Sequence, residues 1–187
     1  MTTTTTTTTT NVRFQDASRQ AKLSGILDWW EFNNVNWRKK LDVRTFSLPS
    51  GYSCPFASEC LSKATLADGK RRIKDGPKTK FRCFSASQEV QYTNVYNLRK
   101  HNFDILRELD LEGMIHRLNT DLPEDAGIVR NHVAGDFFNN SYFFAWINVA
   151  MMNPEKLFYA YTKSLKYWVE NLALVQSVDN FVLTASY

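Results

Sequence analysis

At 187 residues, 43% hydrophobic and 14% aromatic, the chain can bury one sizeable core and leaves little room for a second domain. No apolar run is long enough to span a bilayer, and no basic start with an apolar middle marks a signal peptide, so no membrane partner is expected. Three cysteines, an odd number without secretory features, point to a reducing intracellular setting, and a net charge of +4 permits nucleic-acid contact without demanding it.

Residues 1–17, opened by the threonine run Thr2 to Thr10, have no apolar face to bury and read as a disordered tail; residues 18–187 read as a single α/β domain. Leu23, Ile26, Leu27 and Trp30 give one face of a short helix, and an Asn-rich link leads to a strand over 43–48 that ends in the turn Pro49-Ser50-Gly51. Cys54 and Cys60 occupy the loop after that strand. A polar excursion follows, with two Asp-Gly steps and Pro77, which suits a hairpin or lobed loop, and Cys83 lies just beyond it. From about Val95 to Leu118 the spacing is helical, with Gly113 as a joint.

The second half is the most orderly. A strand over 127–134 is followed by a helix over 141–153, capped by Asn140 or Ser141 and stopped at Pro154. A strand over 156–161, a helix over 165–174 and a strand over 180–187 complete the pattern. Strand and helix alternating with short links predict right-handed crossovers and parallel strands. Arg130, His132 and Asp136 recur at period two, a polar stripe suited to the inside of a barrel, with Val129 and Val133 turned to the helices. We therefore expect parallel strands in a partial (β/α) barrel, helices outside, incomplete at the C-terminal end.

Three thiolates suit an iron–sulfur cluster that leaves one iron free, or three of the four ligands of a zinc site. Five residues separate Cys54 from Cys60 and twenty-two separate Cys60 from Cys83, a spacing that matches no common zinc or ferredoxin pattern, so ordinary half-buried thiols remain an alternative. Gly135-Asp136 and Thr162-Lys163-Ser164 gather at strand ends, where parallel α/β folds place binding sites. Each also has a plainer role: His132 as a hydrogen-bonded core histidine, Asp136 as a turn cap, Ser164 as the N-cap of the next helix.

The segments at 46–55, 82–87, 132–138 and 158–164 resemble the phage gene-product-88 domain family, with the likeness extending over 46–187. It implies a phage-encoded protein acting in the cytoplasm of the infected host cell. The layout also resembles a radical S-adenosylmethionine barrel, in which cysteines follow the first strand and a glycine plus an acidic residue end the second. On that resemblance Cys54, Cys60 and Cys83 would hold a four-iron cluster (4Fe–4S) and Asp136, beside Gly135, would accept from the ammonium of S-adenosylmethionine. Thr162 and Ser164 would bind its polar groups, Lys163 would meet a carboxylate or phosphate, and His132 would complete the cofactor site. The chain departs from that pattern in having Cys83 far downstream. The alternative is a non-catalytic phage protein, zinc-binding or metal-free, whose zinc would take a fourth ligand from His101, His116, His132 or a carboxylate. Its Lys70–Arg82 loop would contact nucleic acid or a host protein. The small-molecule substrate of an enzyme is not legible here.

Overall fold

The computed structural model describes residues 11–17 and 42–186. Strands β1 (Gln15–Asp16) and β2 (Asp42–Phe46) are followed by a hairpin of β3 (Ser62–Ala67) and β4 (Lys70–Asp75). Helices α1 (Phe84–Gln91), α2 (Thr93–Leu106) and α3 (Leu111–Thr120) come next. The chain then alternates β5 (Ala126–Asn131), α4 (Asn140–Met152), β6 (Leu157–Thr162), α5 (Leu165–Glu170), α6 (Leu172–Gln176) and β7 (Phe181–Ala185). The helix expected at Leu23–Trp30 lies outside the described residues.

The main sheet has the order β1-β2-β5-β6-β7, with β1 antiparallel on the β2 edge and all other pairs parallel. It is an open sheet with β1 and β7 at its edges, so the expected barrel is replaced by a mixed α/β architecture with a mostly parallel sheet. Because the parallel strands follow chain order, no strand-order reversal creates a crevice, and only the strand ends remain for a site. Register places Phe46, Asn131, Ala160 and Leu183 in one row across the sheet, and Thr45, Arg130, Tyr159 and Val182 in the row facing the other way. The first face carries the core. Phe46, Val129, Phe158 and Phe181 pack there with Leu106 of α2, Met114 and Leu118 of α3, and Tyr142 and Trp146 of α4. Each such side chain removed from water contributes about 1.5–3 kcal/mol before conformational entropy is set against it.

Local chemistry explains the boundaries. Asn139 caps α4 by accepting from the Tyr142 amide at 2.7 Å, one residue earlier than the sequence suggests. Asp110 caps α3 by accepting from the Gly113 amide at 2.8 Å, so Gly113 sits inside the first turn, and the break between α2 and α3 falls at residues 107–110. Ser164 stands at the start of α5, yet its hydroxyl donates to the Phe137 carbonyl instead of capping the helix. Residues 11–17, expected in the tail, are part of the fold: Val12 and Ala17 are buried, the Val12 amide donates to Asp121 at 2.7 Å, and Gln15 pairs with Thr45. Among the described residues, no helix is long and apolar enough to cross a membrane.

Candidate functional site

The site begins with the turn that ends β2. Gly51 has φ +73°, and a Cβ there would stand 2.6 Å from the Ser62 carbonyl oxygen, so only glycine lets the cysteine loop lie against β3. Ser53 holds the turn by donating its hydroxyl to the Pro49 carbonyl at 2.8 Å, which presents Cys54 at the strand end. Cys60 closes a single 3-10 turn over Ser58–Cys60, its amide donating to the Ala57 carbonyl at 3.0 Å. Backbone hydrogen bonds then shut the base of the hairpin lobe: Gly76 donates to Leu61, and Lys80 and Phe81 both donate to Glu59. That closure brings Cys83 back to the rim, immediately before α1, with its amide 3.4 Å from the Ser62 hydroxyl.

The second wall comes from β5 and β6. Gly135 has φ +84°, and a Cβ there would meet the Ser53 hydroxyl at 2.5 Å and the Leu48 Cβ at 2.7 Å. Glycine therefore allows the β5 end to touch the cysteine loop, and the Leu48 amide donates to Ala134 across that seam. Next in the chain, Asp136 clamps two strand ends together. Its Oδ1 accepts from the Thr162 hydroxyl at 2.6 Å and the Phe137 amide at 2.8 Å; its Oδ2 accepts from the Lys163 amide at 2.8 Å. The Ser164 hydroxyl also favours the charged form, so the roughly four acceptor positions of the carboxylate are turned to protein groups. Burial pushes the Asp136 carboxyl up, against these hydrogen bonds, which favour the charged form.

Cys54, Cys60, Cys83, Gly135, Asp136 and Lys163 line one cavity of about 180 Å³ at this rim. A neighbouring cavity of about 380 Å³ shares Ala57, Lys163 and Ser186 with it. Burial pushes the Cys54 thiol up to about 12, with Asp136 and Cys83 adding to it, and the Cys60 thiol is raised chiefly by burial. Lys163 donates its ammonium to the Ser186 carbonyl at 3.2 Å, bracing the ends of β6 and β7. Thr162 and Ser164 are fully turned to protein partners, Asp136 and the Phe137 carbonyl.

His132 is elsewhere. β5 ends at Asn131, and His132 takes φ +64°, which breaks the alternation and swings the imidazole away from the Arg130 face. It packs against Phe137 and Tyr142, with Nε2 3.0 Å from the Tyr142 hydroxyl, and burial holds its pKa down to about 3. The expected stripe of Arg130, His132 and Asp136 therefore does not exist.

Sequence reasoning missed the anchor beneath the cysteines. Glu89, fully buried, accepts from the Ser50 amide at 3.0 Å, the Ser50 hydroxyl at 2.9 Å and Arg99 at 2.9 Å. Arg99 also reaches the Ser85 carbonyl and Gln88. This knot ties the Cys54 loop to the helix that starts at Cys83. The chain offers no motif for it; the only trace is an acidic residue inside a polar stretch. Asn131, fully buried on the core face, has neither amide atom hydrogen-bonded. Among the described residues, no group of three or more His, Cys, Asp or Glu side chains is arranged to hold a metal ion.

An α/β protein with a mostly parallel open sheet and a cysteine-lined cavity at its strand ends is the class this geometry defines. The chain belongs to the phage Gene product 88 family, whose model matches residues 3–187. It is 28% identical to the Gene 88 protein of Mycobacterium phage L5 over 155 residues, which covers 73% of this chain and 57% of that protein. It is 27% identical to the Gene 88 protein of Mycobacterium phage D29 over 132 residues, 65% of this chain and 48% of that protein. The chain thus spans about half the length of these curated relatives. No solved structure matches.

Proposed function

We propose that this phage protein is an iron–sulfur enzyme of radical S-adenosylmethionine type, with Cys54, Cys60 and Cys83 as the cluster ligands. The observation that carries the reading is the convergence of all three cysteines of the chain on one strand-end cavity, although twenty-two residues separate the last two. The donor set suits a cluster better than a single ion. One zinc ion needs every ligand on one point, whereas a four-iron cubane spreads three thiolates over three irons.

Cys54, Cys60 and Cys83 would hold the cluster, which would supply the electron for reductive cleavage of S-adenosylmethionine. The chain's own residues do the rest. Asp136 sets its negative charge at the cavity wall beside a ligand ammonium, and Thr162 and the Lys163 amide hold that carboxylate in place. Lys163 lies between the two cavities, where its ammonium meets a ligand carboxylate once it leaves Ser186. His132 has no part in this site, since its imidazole is committed to the aromatic core.

The test is purification without air followed by reconstitution with iron and sulfide. About four irons per chain and a visible charge-transfer absorbance that bleaches on reduction are expected. Cys54→Ala, Cys60→Ala and Cys83→Ala should each lose most of the iron while keeping the wild-type circular dichroism. Colourless protein carrying zinc or no stoichiometric metal sinks the reading.

A further inference from the structure

The eight cations of residues 62–82 include a partnered set and a free set. Arg71 turns inward to the Val90 carbonyl, the Thr93 hydroxyl and the Tyr96 ring; Lys80 pairs with Glu59; Arg82 pairs with Asp75 at 2.9 Å. Lys70, Arg72 and Lys74 alternate with inward residues along β4, are exposed, and their side chains have no hydrogen-bond or ion-pair partner among the described residues. Across the ladder Lys63 stands directly opposite Lys74. Like charges in that position destabilise a sheet, yet nothing on the lobe neutralises them. Of the lobe's two acids, Asp75 is engaged by Ser62 and Arg82, and Asp68 is in the turn. A cavity of about 170 Å³ is lined by Lys63 and Lys74 together with Gly51, Leu61, Gly76, Pro77 and Asp75, whose carboxylate is taken up by Ser62 and Arg82, and Lys63 is held over the Tyr52 ring.

We propose that this outer face binds the phosphate backbone of single-stranded nucleic acid, with the Lys63–Lys74 cavity seating one phosphate and Arg72 and Lys70 continuing the track. The narrow shape of the track fits one strand rather than a duplex. Cations on alternate residues of a strand stand about 7 Å apart, in one straight line about 14 Å long. That step is comparable to the distance between successive phosphates along one nucleic-acid backbone, stacked or unstacked. The footprint is also only about 5 Å wide across the ladder, whereas the backbones flanking a major groove are about 12 Å apart. The inference is independent of the cluster, because none of these side chains lines the cysteine cavity.

The test is fluorescence anisotropy of the full chain with a labelled oligothymidylate of about twelve nucleotides, across a salt series. Three neutralised phosphates on a single strand predict a log–log salt slope near −2.1, about an 18-fold loss of affinity between 50 and 200 mM salt. The triple variant Lys70→Ala, Arg72→Ala, Lys74→Ala should reduce the slope to about −0.7, while Lys80→Ala with Arg82→Ala, on the same lobe, leaves it unchanged. Both sets are exposed, and thermal melting of each variant checks that the fold is kept. No binding at low salt, a triple variant with the wild-type slope, or equal or tighter binding of a duplex of the same length would each overturn the proposal. Measured on metal-free and on reconstituted protein, the salt slope should be the same, so a failed reconstitution bears on the cluster and not on this face.

Discussion

His132 shows how one residue couples burial, backbone and pH. Its left-handed φ is a conformation that asparagine tolerates nearly as well, and its ring is 4% exposed among Phe137 and Tyr142. The unfolded chain takes up a proton at this position below about pH 6.5, while the folded chain, with its pKa held down to about 3, does not. The unfolded state therefore binds more protons between those values. Stability falls as pH drops through that window, by at most ~1.4 kcal/mol per pH unit. Asp136 acts in the opposite sense: its carboxyl is raised above 3.8, so it favours the folded state more as pH falls through the window just above that value. Urea midpoints measured between about pH 6.5 and 5 should decline in the wild type, and His132→Asn should flatten the decline. An unchanged slope in that variant would assign the acid sensitivity to another group.

At the scale of elements, the knot of Glu89, Arg99 and Ser50 decides whether the cysteine loop and α1 stay together. Glu89→Gln leaves a buried guanidinium uncompensated and should cost about 3–5 kcal/mol in urea unfolding. Glu89→Met with Arg99→Met removes both charges and should recover much of that loss, short of the two Ser50 donors left without a partner. A double variant as unstable as the single one would show that packing, not charge, dominates the site. Helix α1 itself was not legible, because its inward face is Ser85, Ala86 and Glu89. A search for apolar spacing passes over a helix that buries small residues and an ion pair. By contrast β5, α4, β6 and β7 were legible because their inward residues, from Val129 to Leu183, are apolar at strand or helix period. The gathering of Cys54, Cys60, Asp136 and Lys163 was legible for a topological reason, since parallel strands place their ends on one side. What alternation could not supply was the end of β5, because a left-handed residue after Asn131 leaves no hydrophobic signal.

For the whole molecule, the barrel expectation rested on a polar stripe, of which only Arg130 lies on the outer face of the sheet. The strand order carries a consequence for biosynthesis. β2 meets β1 early, but its parallel neighbour β5 is made only after the hairpin and three helices have emerged. From β5 onward each new strand docks on the edge just completed, so order of synthesis and order of assembly coincide. The ribosome should therefore hold an unprotected chain for a long first interval and then release structure in short steps. Nascent chains stalled with Asp110 at the tunnel exit should be digested rapidly by protease. Those stalled after Thr162 has emerged should resist, because β5 and α4 then close the core over Phe46 and β6 joins it. Equal resistance at both stall points would show that the N-terminal half stands without its parallel partner. Until β5 arrives, β2 waits outside the ribosome with one bare edge, the stretch of synthesis when a phage chain of this build is most open to host proteases and mispairing.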